Sequence, residues 1–135
     1  MCIRDRLKTA LSGADFVILL LPETLKTKNT LNIDSLSLLK KGAFVINPGR
    51  GPLIDDEALI KMLDSGHISH ATLDVFRIEP LPETHPFWSH PKVTVTPHIA
   101  AATRPEFAAP VIVENIRRGE SGECFLHLVD RHRGY

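Results

Sequence analysis

The chain has 135 residues, of which 43% are apolar, so it can form one domain with a hydrophobic core or part of one. Its sixteen basic and sixteen acidic residues cancel, which argues against a nucleic-acid surface and against a polybasic membrane contact. The apolar runs are too short to cross a bilayer, no secretory leader is recognisable, and two distant cysteines give no disulfide framework, so a cytoplasmic protein is expected.

The first predicted element is a strand. Residues 15–21 form a continuous apolar run that stops at Pro22, which is typical of a strand buried on both faces. The polar stretch from Glu23 to Asn32 predicts a loop.

A short helix and a second strand are predicted next. Asp34 is expected to cap the helix, with Leu36 and Leu39 pointing inward. Gly42 can take the left-handed conformation that ends a helix, and the second strand covers 43–47.

The middle of the sequence predicts another helix and strand. Acidic residues at 55–57 suit the first turn of a helix, where they oppose its dipole, and Gly66 is expected to end it. The third strand is predicted from about His70 to Phe76.

The remaining elements follow a proline-rich loop. Residues 78–91 are interrupted by prolines and predict a loop, and 93–96 a fourth strand. The last helix is predicted over 104–118, with Pro110 kinking it or starting its longer half. Residues 119–135 show no clear period.

Strands alternating with helices predict an α/β fold with a parallel sheet of about four strands and flanking helices. A dinucleotide-binding fold normally opens with a strand and a Gly-x-Gly-x-x-Gly turn, followed by an acidic residue about 20 residues later. The sequence contains neither, and Gly49-Arg50-Gly51 follows a later strand. The chain therefore resembles the second half of a Rossmann-type sheet.

Three chemically active residues follow predicted strands: Arg50, Glu79 and His98. In parallel α/β sheets, ligands bind outside the carboxyl ends of the strands, and neighbouring strands lie about 4.8 Å apart. The sequence therefore predicts an acid–base site with a cationic anchor for an anion.

Three motifs carry a resemblance to a known family. They are Ile46-Asn47-Pro48-Gly49-Arg50-Gly51, Leu73-Asp74-Val75-Phe76 followed by Glu79-Pro80, and Thr96-Pro97-His98. In this order they resemble the C-terminal signatures of the D-2-hydroxyacid dehydrogenases. Segments 79–82 and 85–88, with the ending 129–135, resemble more narrowly the glyoxylate/hydroxypyruvate reductase A branch of that family.

The resemblance divides the chain into three parts. Residues 1–6 match nothing in the family, 7–118 resemble the C-terminal part of its NAD(P)-binding domain, and 119–135 form a tail returning toward a substrate domain. Family members are longer, because they also carry that substrate domain and the glycine-rich first half of the cofactor domain. A C-terminal fragment is therefore expected.

The resemblance implies roles for the three strand-end residues. His98 would be the general acid–base, Glu79 the partner that holds its ring, and Arg50 the cation that binds a substrate carboxylate. Taken without the family, each has a plainer interpretation: a surface histidine, an exposed loop glutamate, and an arginine in a glycine turn.

The resemblance also implies contacts with the cofactor. Asp74 would meet its nicotinamide end, although a buried structural ion pair is the alternative. The other predicted contact residues are Leu21, Pro22, Thr27, Pro48, Gly49, Arg50, His98, Ala100 and Ala101. Trp88 is a candidate wall of the substrate pocket, with packing as the alternative. Histidine pairs at 67/70 and 85/90 have metal-like spacing but no completing ligands, so no metal is expected.

The function implied is reduction of a small 2-keto acid, glyoxylate or hydroxypyruvate, with NADPH slightly favoured over NADH and a homodimer as the full-length form. The alternatives are a nucleotide-sensing corepressor and an inactive truncated chain. The family's sheet has a further strand beside residues 16–21, so in this chain we expect that strand to lie at an exposed edge.

Overall fold

The computed structural model describes residues 7–132 and 134, so the segment 1–6, predicted to be an unmatched leader before the domain, lies outside the described residues. The chain consists of two compact units, and the first ends at Ala100. The first contains helix α1 (Leu7–Leu11), strand β1 (Phe16–Ile18), helix α2 (Ile33–Ser37), strand β2 (Ala43–Asn47), helix α3 (Asp56–Asp64), strand β3 (Ile68–Leu73) and strand β4 (Val93–Val95). The second contains helix α4 (Pro105–Glu120).

The four strands form one parallel sheet in the order β1-β2-β3-β4, which confirms the predicted fold class. Asn47 of β2 pairs with Leu73 of β3, and Leu73 pairs with Val95 of β4. Since these residues end their strands, the carboxyl ends of β2, β3 and β4 lie level. This register determines where the following loops begin.

The hydrophobic core lies between one face of the sheet and the helices α2 and α3. Alternate strand residues such as Val17, Val45 and Ala71 are buried there, as the period of a strand requires. Helix α3 adds Leu59 and Leu63, both fully buried. This face is therefore closed to solvent and gives the strand ends a rigid support.

Helix α3 begins as predicted, whereas the prediction for the start of α2 was wrong. Asp55 caps α3 by accepting the N–H of Ala58. Helix α2 is capped by Asn32 rather than Asp34, because the Asn32 side chain accepts the N–H of Ser35 and the Ser35 hydroxyl accepts the N–H of Asn32. This reciprocal pair is a capping box with asparagine in the first position.

Three strands are shorter than the sequence predicts. Strand β1 spans Phe16–Ile18 and β4 spans Val93–Val95, while β3 starts earlier and ends at Leu73. The ladder beside β3 closes with the Asp74 N–H, which donates to the Asn47 carbonyl at 3.0 Å. Beyond it the chain turns to form the loop that carries Glu79, so an apolar continuation does not extend the strand.

Strand β1 lies at the edge of the sheet, as expected. Phe16 and Ile18 are 63% and 57% exposed, and the Phe16 ring stacks on Phe44 of β2 with centroids 5.1 Å apart. The face of β1 and β2 opposite the core is therefore apolar and open to solvent. The short helix α1, which the sequence analysis did not predict, buries only Leu11.

The second unit is built on α4. The helix runs two residues beyond the predicted end, starts at Pro105 after Arg104, and keeps Pro110 inside it. The tail folds back on the helix, because Asn115 accepts the N–H of Leu126 at 2.7 Å and donates to its carbonyl. Across the described residues, no helix has the length and apolar content that crossing a membrane requires.

Candidate active site

The three candidate side chains follow three adjacent strands. Arg50 comes after β2, Glu79 after β3, and His98 after β4. Because these strands are parallel and end level, all three loops leave the same edge of the sheet. The structure therefore places the three residues at the carboxyl edge that the sequence predicted.

Glu79 and His98 are directly bonded. The His98 ring atom Nδ1 lies 2.8 Å from Glu79 Oε2, while Glu79 Oε1 accepts the N–H of Phe76 at 2.8 Å. The bond from His98 is the main cause that lowers the pKa of Glu79, with smaller contributions from Phe76 and from the charge of Arg50. Glu79 is therefore a carboxylate at neutral pH, and it occupies Nδ1 so that Nε2 is the ring nitrogen left for a substrate.

His98 lies in a turn fixed by a buried carboxylate. Its backbone φ is 55°, a left-handed conformation that is uncommon for residues other than glycine. Asp74, only 4% exposed, accepts the N–H of Ile99 at 3.0 Å and of Ala100 at 2.9 Å, and also the Thr96 hydroxyl. Burial alone would raise the pKa of Asp74, but these bonds outweigh it and lower the pKa.

The turn that carries Arg50 is held in a similar way by Asn47. The Asn47 side chain accepts the N–H of Gly49 at 3.1 Å and donates to the Arg50 carbonyl at 3.0 Å. The exposed Arg50 guanidinium donates from Nη1 to the Gly49 carbonyl and keeps its other donors. The sequence analysis gave Asn47 no role, although a polar residue that ends an apolar strand before Pro-Gly is a signal for such a turn.

Gly51 brings the Arg50 turn against the loop that carries Glu79. A Cβ atom placed on Gly51 would lie 2.0 Å from the Phe76 carbonyl carbon and 2.4 Å from the Arg77 nitrogen. Only glycine permits this approach of two backbones. The contact keeps the Arg50 turn next to the loop of Glu79, and the charge of Arg50 is among the causes that lower the pKa of Glu79.

A cleft of about 500 Å³ opens beside the histidine. Its lining residues are Phe76, Glu79, Pro80, Leu81, Trp88, Val95, Thr96, Pro97 and His98. The Trp88 indole N–H donates to the Pro82 carbonyl at 3.0 Å, which fixes the ring on the loop wall. Glu79, His98 and Trp88 therefore share one cleft, and Arg50 stands at the neighbouring strand end.

The predicted cofactor contacts lie at the same edge, apart from Ala101, which begins the second unit. Leu21 is exposed just after β1, and the Thr27 hydroxyl donates to the Pro22 carbonyl at 2.7 Å. A Cβ on Gly49 would lie 2.7 Å from the Leu19 carbonyl oxygen, so the Pro48-Gly49 turn packs against the end of β1.

The residues present suit the nicotinamide end of a dinucleotide. Asp74 Oδ1 accepts two of the three bonds and Oδ2 one, so Oδ2 retains an acceptor position of the kind that a carboxamide N–H needs. Leu21, Pro22 and Thr27 follow β1, where the resemblance implies contacts with the adenosine side of the cofactor, and the exposed apolar surface of Leu21 suits an aromatic ring there. The glycine-rich turn that holds a pyrophosphate is not in this sequence.

Two histidines outside the cleft, His70 and His90, bond to side chains of neighbouring elements. His70 Nε2 lies 2.8 Å from Thr94 Oγ1, and His90 Nε2 lies 3.2 Å from Asp64 Oδ1. Within residues 7–132 and 134, no three His, Cys, Asp or Glu side chains are grouped so that they could hold a metal ion.

Comparison with known proteins identifies the family. Residues 2–100 match the family model described as D-isomer specific 2-hydroxyacid dehydrogenase, NAD binding domain. The chain belongs to this family. The matched range begins within the segment 1–6, for which the sequence analysis found no match, and ends before the predicted domain limit at 118. The division into leader, domain and tail stays a prediction.

Relatives of the family agree with the narrower resemblance. The chain is 49% identical to glyoxylate/hydroxypyruvate reductase A of Photorhabdus laumondii over 131 residues, which is 97% of this chain. It is 45% identical to the protein of the same name from Yersinia enterocolitica over 98% of this chain. In both matches the chain spans 42% of the relative's length.

Solved structures of the family have the same fold. The D-isomer specific 2-hydroxyacid dehydrogenase from Xanthobacter autotrophicus Py2, in complex with NADPH and MES, superposes with a TM-score of 0.92 at 50% identity, over 96% of this chain and 53% of that one. The NADPH-dependent glyoxylate/hydroxypyruvate reductase from Sinorhizobium meliloti, in complex with NADP and sulfate, gives a TM-score of 0.89 at 36% identity. This match covers 96% of this chain and 42% of that one.

The contact at Gly51 gives a stability prediction. In a full-length version of the protein, in which this chain is preceded by the remaining length of its relatives, Gly51→Ala should lower the free energy of unfolding by about 3 kcal/mol or more, because two backbones must separate. Gly42→Ala is the control: no atom lies within 4 Å of its Cβ position, so only its positive φ opposes alanine, at about 1 to 2 kcal/mol. Urea denaturation measures both, and equal losses would show that the contact at Gly51 is absent.

Proposed function

We propose that this chain supplies the catalytic edge of an NAD(P)H-dependent reductase that converts a small 2-keto acid into the 2-hydroxy acid. The observation that carries the proposal is the 2.8 Å bond between His98 and Glu79, at the strand edge where Arg50 also lies. A carboxylate, an imidazole and a guanidinium together provide proton transfer and an anchor for an anionic substrate.

His98 is the proton donor in this proposal. With Nδ1 bonded to Glu79, the protonated ring gives the proton on Nε2 to the substrate carbonyl oxygen, and the neutral ring then takes a proton from solvent. Glu79 keeps the ring oriented and stabilises its charged form, as a carboxylate partner of histidine does. When bound, the reduced nicotinamide supplies the hydride that the carbonyl carbon receives.

Arg50 binds the substrate carboxylate. Its planar, permanently charged guanidinium can form two parallel bonds to a carboxylate, and its exposed position leaves those donors accessible. A 2-keto acid held by its carboxylate presents the adjacent carbonyl to His98. The relatives named glyoxylate/hydroxypyruvate reductase A favour a short acid such as glyoxylate or hydroxypyruvate as the substrate.

The cofactor is proposed to be NADPH or NADH, with NADPH favoured because the relatives from Xanthobacter and Sinorhizobium were solved with NADPH and NADP. Asp74 would hold the carboxamide of the nicotinamide. The further contacts carried over from the family are Leu21, Pro22, Thr27, Pro48, Gly49, Ala100 and Ala101. The full-length protein is proposed to be a cytoplasmic homodimer without nucleic-acid or membrane partners.

Substitution of Arg50 tests the proposal. In the full-length protein, Arg50→Ala should raise KM for glyoxylate about 10- to 100-fold and lower kcat, because a charge-assisted bond pair to the substrate is lost. KM and kcat of Arg50→Lys should fall between those of the wild type and Arg50→Ala, since lysine keeps the charge but lacks the planar guanidinium. Steady-state kinetics with NADPH measure both.

The control is Lys40→Ala. Lys40 pairs with Asp15 at 3.0 Å, and both residues precede their strands, so they lie at the amino edge of the sheet. Removing this cation should leave both constants unchanged. Unaltered kinetics in Arg50→Ala would exclude the role proposed for Arg50.

A further inference from the structure

Two buried polar residues end neighbouring strands below the candidate site. Among the described residues, the buried polar or charged side chains are Ser35, Asn47 and Asp74. Ser35 belongs to the cap of α2, but Asn47 ends β2 and Asp74 directly follows β3. Their backbones are joined by the Asp74 N–H, which donates to the Asn47 carbonyl at 3.0 Å.

The side-chain bonds of Asn47 go to the turn of Arg50. Asn47 is 1% exposed, and its side chain contacts the Gly49 N–H at 3.1 Å and the Arg50 carbonyl at 3.0 Å. A buried amide with fixed partners is costly to move, because leaving a donor or acceptor unpaired costs about 1 to 3 kcal/mol. The Asn47 side chain therefore holds the backbone before Arg50, at the Gly49 N–H, and after it, at the Arg50 carbonyl.

The carboxylate bonds of Asp74 go to the turn of His98. Its carboxylate binds the Thr96 hydroxyl before the histidine and the N–H groups of Ile99 and Ala100 after it. His98 itself is in the left-handed conformation, with φ of 55°. Such a conformation persists only when the surrounding structure enforces it. The Asp74 carboxylate binds groups before and after His98 and so holds the residue in this conformation.

We propose that Asn47 and Asp74 are a pair of positioning residues, each dedicated to one strand-end side chain: Asn47 sets Arg50, and Asp74 sets His98 against Glu79. The inference rests on the proposed function for the roles of Arg50 and His98, but the two assignments are separate. Loss of Asn47 should damage substrate binding, and loss of Asp74 should damage proton transfer.

Kinetics of the full-length protein distinguish the two assignments. Asn47→Ala should raise KM for glyoxylate about tenfold with kcat changed less than threefold. Asp74→Asn should lower kcat about 10- to 100-fold with KM for glyoxylate changed less than threefold, because its amide nitrogen would face the N–H of either Ile99 or Ala100, where a carboxylate oxygen now accepts. Because Asp74 is also a candidate contact of the nicotinamide carboxamide, the affinity for NADPH is measured by calorimetry in the same variant. A tenfold or larger loss of NADPH affinity with kcat unchanged would show that Asp74 acts as a cofactor contact and does not position His98.

An NMR measurement tests the positioning of His98 by Asp74 without relying on turnover. In protein labelled with ¹⁵N histidine, the Nδ1 proton that His98 shares with Glu79 should give a downfield resonance, assigned by its loss in His98→Asn. The resonance should persist in Asn47→Ala and disappear in Asp74→Asn. If the wild type does not reduce glyoxylate but this pattern holds, the proposed function is wrong and the positioning by Asp74 stands. If the wild type is active and the resonance survives in Asp74→Asn, the positioning is wrong.

Two further variants complete the design. Ser35→Ala removes a buried polar side chain outside the site, so it should reduce stability while both kinetic constants and the resonance stay unchanged. If Asp74→Asn does not fold, Thr96→Val removes only one of the three bonds to the carboxylate. It should lower kcat by a smaller factor and leave KM for glyoxylate little changed. If Asn47→Ala and Asp74→Asn change kcat and KM in the same way, Asn47 and Asp74 do not each position a different side chain, and the proposal is wrong.

Discussion

Replacing His98 should nearly abolish turnover in the full-length protein. We expect His98→Ala to lower kcat by a factor of about 10² to 10⁴, the usual contribution of a positioned general acid–base. KM for glyoxylate should change little, because Arg50 rather than His98 binds the carboxylate in the proposed mechanism. Steady-state kinetics with NADPH and glyoxylate give both constants.

The backbone of His98 requires a second variant. Alanine at a φ of 55° is strained, whereas asparagine tolerates this conformation better. His98→Asn should therefore keep the fold and still lose the activity. Glu79→Gln should show a smaller loss, since a neutral amide can orient the ring but does not stabilise its charge. If His98→Asn turns over at the rate of the wild type, the histidine is not the proton donor.

The second large effect concerns the 135 residues on their own. We expect the isolated chain to be inactive with NADPH or NADH and glyoxylate, and to associate, while a full-length version is active. The sequence lacks the glycine-rich turn for the pyrophosphate, and the chain spans 42% of its curated relatives. Strand β1 also leaves backbone groups of a sheet edge free to pair with another chain.

The apolar face beside that edge makes the association testable. Phe16 and Ile18 are mostly exposed, and Phe44 is 38% exposed next to them. In Phe16→Lys, a charge on the edge strand should oppose strand pairing and shift the isolated chain toward the monomer. Analytical ultracentrifugation measures the mass of both forms. A monomeric wild-type chain that reduces glyoxylate would contradict this account.

The presence of the four strands was predictable because each appears in the sequence as a short apolar run. Strand β2 has the predicted bounds, and the order of the elements follows from alternating strand and helix patterns. The ends of β1, β3 and β4 were not predictable, since apolar residues continue past the last ladder bond. Only the side-chain and loop bonds that end the ladders, such as those of Asp74, determine where each strand stops.

The candidate trio was predictable from its position after strands, and its roles remain predictions. The residues that hold the trio were harder to find. Gly51 contacts the backbone of Phe76 and Arg77, which are adjacent to it only in the fold, and Asp74 acts on a turn more than twenty residues away. Asn47 bonds to residues close to it in sequence, so its role was a local signal that the sequence analysis did not use. The cap of α2 was missed for a related reason, because asparagine and serine form the box through a local bond that propensity alone does not rank.

Trp88 is the one tryptophan of the chain, and it lies in the wall of the cleft with its indole N–H bonded to the Pro82 carbonyl. Trp88 is 56% exposed, so its emission responds to whatever displaces water from that wall. The chain therefore carries an intrinsic optical reporter on the loop that also bears Glu79. In the isolated chain, a red-shifted emission would signal that this loop has come away from the sheet, without any added label.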